Sequence, residues 1–114
     1  MVVGSGWVEI WIPEVHSLKE KRGILSRLIK RTQHEFNISI AEVGLNDTWK
    51  RACIGFSIVG NDRIVVEKKM ALVVRFIEDL NLGEVVDIHQ EYMNVSRTAG
   101  ELPSTYGEDK YGDL

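Results

Sequence analysis

Hydrophobic and polar residues alternate near the start of the chain. Val8, Ile10 and Ile12 fall on one side of an extended backbone, with Trp7, Glu9 and Trp11 on the other. That period of two marks a strand with two unlike faces. A first strand is predicted over Val2 to Ile12, with Gly4 and Gly6 allowing a bulge or a late start and Pro13 ending it. From Ser17 to Phe36 the period lengthens. At about 100° per residue, Leu18, Leu25, Leu28, Ile29, Thr32 and Phe36 share one face, while Lys19, Arg22, Arg27, Lys30, Arg31 and His34 fall opposite. This is an amphipathic helix. Ser17 with Glu20 forms a capping box that serves two orphan amides, and Asn37 stands where a left-handed residue often closes a helix.

Shorter patterns follow. Asn37 to Gly44 reads as a second strand, Leu45 to Lys50 as a loop with turn-forming Asn46 and Asp47, and Arg51 to Val59 as a third strand. In the third strand Ala52, Ile54, Phe56 and Ile58 oppose Cys53, Gly55, Ser57 and Val59. A short connection between two strands makes them an antiparallel hairpin. Gly60-Asn61-Asp62 then caps a second helix, Asp62 to Leu80, whose inner stripe is Val66, Met70, Val73, Val74 and Ile77. Gly83 is placed to help stop it. Glu84 to Val95 is a fourth strand with Val86, Ile88 and Tyr92 on one face. With right-handed crossovers, this order gives an α+β, ferredoxin-like βαββαβ sandwich: a four-stranded antiparallel sheet with two helices on one face. One domain over residues 1–97 is expected. Residues 98–114, rich in Gly, Ser, Thr and acids, are expected to form a flexible tail or to pack on a partner.

Composition narrows the class. A chain of 114 residues with 44% hydrophobic and 27% charged residues is ordinary for one globular domain. Its single cysteine, Cys53, excludes an internal disulfide and most thiolate metal sites, and fits a reducing compartment. No apolar run is long enough to span a bilayer, and the N-terminus lacks a signal-peptide pattern, so a cytoplasmic protein without a membrane association is expected. Charge is unevenly placed. Ser17 to Phe36 holds six Lys/Arg and two Glu, a balance of +4 in a chain of net charge −3. Lys19, Lys21 and Arg22 near the helix start oppose its macrodipole. Two explanations stand. The cations hold a polyanion such as RNA, or they form a solvated face paired with Glu14, Glu20, Asp87 and Glu91. Trp49, Lys50 and Arg51 make a second basic-aromatic patch, which topology alone does not join to the helix start.

Two helices on one sheet face leave the other open. Trp7 and Trp11 are predicted to stand there, on a central strand, either to stack bases or to join two copies in a homodimer. Arg51 to Ile58 superficially resembles the ribonucleoprotein octapeptide of RNA-recognition sheets. That motif places outward aromatics at its third and fifth positions, which here are Cys53 and Gly55, so its stacking pair is missing. Catalytic signals are absent. His16, His34 and His89 lack metal-ligand spacing, and no phosphate-binding Gly-rich loop is present. Acylphosphatases, of this fold and size, use such a loop after the first strand, and Pro13-Glu14-Val15-His16-Ser17 is not one. A non-enzymatic module without metal or cofactor is expected.

Ser17-Leu18-Lys19-Glu20-Lys21-Arg22, then Phe36-Asn37-Ile38-Ser39-Ile40-Ala41-Glu42-Val43, then Trp49-Lys50-Arg51-Ala52 together resemble the YlxP-like family of small bacterial proteins of unknown function. The resemblance covers about residues 5 to 95 and implies a ferredoxin-like fold, with no established activity. Genes of that family often lie beside those for translation initiation and ribosome maturation, which implies an RNA or ribosome role by association only. The candidate RNA contacts are Lys19, Lys21, Arg22, Arg27, Lys30, Arg31, Lys50 and Arg51, and the candidate interface residues are Trp7, Trp11 and Trp49.

Overall fold

In the computed structural model, residues 1–96 are described. The elements are β1 (Val2–Trp11), α1 (Leu18–Glu35), β2 (Ser39–Gly44), β3 (Arg51–Gly60), α2 (Arg63–Asp79) and β4 (Glu84–Asn94). They form one antiparallel sheet in the order β2-β3-β1-β4. Strand alternation decides which side is core. Val8, Ile10 and Ile12 are buried with Ala52, Ile54, Phe56 and Ile58, and all pack against Leu25 and Leu28 of α1 and the full predicted stripe of α2. Both helices therefore cover one face, and the chain has the ferredoxin-like arrangement. The expectation for residues 98–114 lies outside the described residues.

Helix ends follow local chemistry, with some departures from expectation. Ser17 Oγ accepts from the Glu20 amide at 3.1 Å, the forward half of the predicted capping box. The C-terminus of α1 closes differently. Phe36 is extended at φ −129°, and its amide still bonds to Thr32. Among the described residues the left-handed non-glycine positions are Leu45 and Asn81, so Asn37 is not the closing residue. Asp62 caps α2, accepting from Ile64 and Val65. Asn81, at φ 53°, turns the chain after α2, whereas Gly83 lies tight against Ile10.

The glycines of β1 serve packing. A Cβ on Gly4 would lie 2.8 Å from Val66 Cγ1, so this glycine lets α2 settle close to the central strand. The bulge falls elsewhere, between Glu9 and Ile10 against β4. It places Val85 opposite Ile10, while Ile88 and Tyr92 register with Val8 and Gly4. Val86 is displaced from that row, and Val86 and Ile88 each remain 43% exposed. Bulges near a sheet edge twist it and discourage further pairing. The Asp87 carboxylate reinforces this on edge strand β4 by taking the Ile88 amide at 2.9 Å.

Candidate nucleic-acid interface

The α1 stripe contains one residue that the hydrophobic pattern passed over. Lys21, Leu25, Leu28 and Thr32 are its buried positions, spaced four, three and four apart. Lys21 is 1% exposed. Its Nζ donates to the carbonyls of Leu45 and Thr48, each at 2.6 Å, and stands 3.0 Å from Glu42 Oε2. The two carbonyls take the well-aligned bonds. Glu42 Oε2 has no aligned hydrogen bond of its own and contributes through its charge. Lys21 is therefore not a phosphate contact. It is a clasp that ties the β2–β3 loop to the start of α1, and a buried ammonium is tolerated because acceptors surround it. The helical spacing to Leu25 was the signal that could have shown this.

The clasp settles where the second basic patch lies. Thr48 precedes Trp49 and Lys50, so the loop carrying them is tied to the first turns of α1 through Lys21. Trp49 is 50% exposed, and Lys50 is exposed while its carbonyl accepts from Ile12. Arg51 departs from this group. It registers with Trp11 on the open sheet face and pairs with Glu9.

Lys19, Arg22, Arg27, Lys30 and Arg31 are all exposed. None makes an ion pair among the described residues. Of the acids proposed to neutralise them, Asp87 and Glu91 register with Glu9 and Ser5 and so face the opposite side of the sheet. Glu91 is engaged with His89 at 2.8 Å. The basic helix is thus uncompensated by the acids of β4.

The open sheet face has the opposite character. Trp7 is half-buried and stacks on His89, with ring centroids 5.7 Å apart. Trp11 is 40% exposed between Arg51 and Glu84. Glu9, Glu84, Asp87 and Glu91 all lie on this face, which disfavours a phosphate backbone there. Cys53 lies opposite Glu9 and is half-buried. Burial, and then the Glu9 charge, push its thiol above the ordinary value of 9.0, away from nucleophilic character. Phe56 is buried because it alternates onto the helix-facing side with Ala52, Ile54 and Ile58.

Among the described residues no cluster of His, Cys, Asp and Glu could hold a metal ion, and no helix is long and apolar enough to cross a membrane. A hollow of about 490 Å³ at the end of α2 is lined by Ile12, Ile24, Leu82 and Val85 with Glu14, Glu78 and Glu84. It contains no nucleophile–base pair.

Residues 3–90 match the family described as "Protein of unknown function (DUF503)". The chain is 40% identical over 77 residues to the uncharacterized protein YlxP of Bacillus subtilis (strain 168), covering 68% of this chain and 84% of that protein. Two solved structures also match at low identity. The de novo designed protein Foldit4 has a TM-score of 0.46 at 11% identity, covering 83% of this chain and 98% of that one. A dimeric ferredoxin-like protein from an uncultured marine organism has a TM-score of 0.39 at 14% identity, covering 82% and 94%. The match over most of its length and the identity to YlxP make this chain a member of the YlxP-like DUF503 family, whose function is unknown.

Proposed function

We propose that this protein is a non-enzymatic, cytoplasmic RNA-binding module, associated with RNA or the ribosome, that contacts the phosphate backbone through the outer face of α1. The observation that carries this reading is the set of five exposed cations, Lys19, Arg22, Arg27, Lys30 and Arg31, without an ion-pair partner among the described residues. Lys50 and Trp49, held beside the helix start by Lys21, supply a second contact: a cation for phosphate and an indole for an unpaired base. Phosphate contacts give affinity more than sequence choice, and they release counterions. The test is titration of labelled ribosomal RNA fragments at several salt concentrations, with Arg22→Glu plus Lys30→Glu as the variant. Micromolar binding that falls with salt and weakens at least about tenfold in the variant is expected. Salt-insensitive binding, or equal binding by the variant, would overturn the reading.

A second reading uses the open sheet face to join two copies. Exposed Trp11, Val43, Val59 and Met93 favour it, and the acids on the same face oppose it. It predicts a dimer by sedimentation at micromolar concentration, and a folded monomer when Trp7 and Trp11 both become Ala. A monomeric wild type would exclude it.

A further inference from the structure

Gly23 is the sixth residue of an 18-residue helix and is exposed. Glycine is the least favourable residue in a helix interior apart from proline. Five other glycines among the described residues have packing reasons. A Cβ on Gly4, Gly6, Gly55, Gly60 or Gly83 would come within 3.0 Å of a neighbour. A Cβ on Gly23 would meet no atom within 4 Å, and Gly23 has no positive φ. Alanine would fit there and suit the helix better.

The surroundings of Gly23 give it a use. Residues three, four and seven apart share a helix face. On that rule Lys19, Glu20, Ser26, Arg27 and Lys30 surround Gly23, all of them exposed. The bare backbone forms the floor of a shallow hollow of about 380 Å³ lined by Glu20, Gly23, Ile24 and Arg27. We propose that Gly23 is the seat at which an RNA sugar–phosphate strand crosses α1, the missing side chain letting the strand lie against the helix while Lys19, Arg27 and Lys30 hold its phosphates. The proposal rests on the RNA-binding reading above and names its point of closest approach. Glu20 is the one acid on the rim and limits the affinity of the seat. A protein helix could also use a glycine for close approach, but three cations, Lys19, Arg27 and Lys30, against the single acid Glu20 match a polyphosphate.

The test compares the full chain with Gly23→Ala and Gly23→Gln. Affinity is read by anisotropy of a fluorescein-labelled RNA hairpin carrying a single-stranded arm, at low salt, and each variant is also melted. Gly23→Ala is expected to raise Tm by about 3–6 °C, from its better helix propensity. Both variants are expected to bind RNA more weakly, by roughly three- to tenfold and more for Gln than for Ala. A rise in Tm with unchanged affinity would overturn the seat and leave the RNA reading standing. A fall in Tm for both variants would give Gly23 a role in the fold and overturn the seat as well. Absence of RNA binding by the wild type at low salt would remove both proposals together.

Discussion

Lys21 joins two segments far apart in sequence through one ammonium group. Replacing it with Met keeps the stem but leaves two carbonyls and the Glu42 carboxylate without their cation. Lys21→Met is expected to lower stability by about 2–4 kcal/mol, seen as a shift in the urea midpoint. Adding Glu42→Gln should recover part of the loss, because no buried charge is then left unpaired. A second residue-scale expectation concerns Cys53, whose thiol is held in its protonated form by burial and by Glu9. Its alkylation by iodoacetamide at pH 8 should be slower than that of a free cysteine and should speed up in Glu9→Gln; an unchanged rate in the variant would remove Glu9 as a cause. The sign for stability follows. The folded thiol binds its proton more tightly than the unfolded one, so its contribution is complete below 9.0 and declines as pH rises above it.

At the scale of elements, each helix is placed by the strand beneath it. α2 lies close on β1 because Gly4 and Gly6 present no side chain to Val66 and Met70. Gly4→Ala places a methyl group 2.8 Å from Val66 Cγ1 and is expected to cost about 1–3 kcal/mol through overpacking, measured by chemical denaturation. A variant as stable as the wild type would show that α2 can shift without loss. The stripe of α2 was fully legible because every buried position on it is apolar. That of α1 is legible except at Lys21, because a lysine at a stripe position looks like a surface residue until its acceptors are in place.

Across the whole molecule, charge separates by layer. α1 and α2 carry ten Lys/Arg against five acids, whereas the four strands carry one Arg against five acids. A polyanion approaching the helix layer would meet net positive charge, whereas one approaching the open sheet face would meet Glu9, Glu84, Asp87 and Glu91. If Lys19, Arg22, Arg27, Lys30, Arg31 and Lys50 all contact phosphates, the slope of log K against log salt should reach about −4 to −5, and each removed cation should reduce it by about one. A slope near zero would mean that these cations do not meet the nucleic acid. The exposed β4 edge is defended by its bulge and by the Asp87–Ile88 bond, which disfavours growth of the sheet by strand addition.

Hydrophobic period by itself determined the order and kind of all six elements, and with the right-handed crossover rule it determined the ferredoxin-like topology, because burial demands an apolar face of fixed spacing. It also located the basic helix. Tertiary structure alone decided which cations are free. It buried Lys21 beneath a loop, turned Arg51 to Glu9 and put Asp87 and Glu91 behind the sheet. It also brought Trp49 and Lys50 to the start of α1. These outcomes depend on distances between residues remote in sequence, and a charged side chain carries no periodic mark of the partner it will meet.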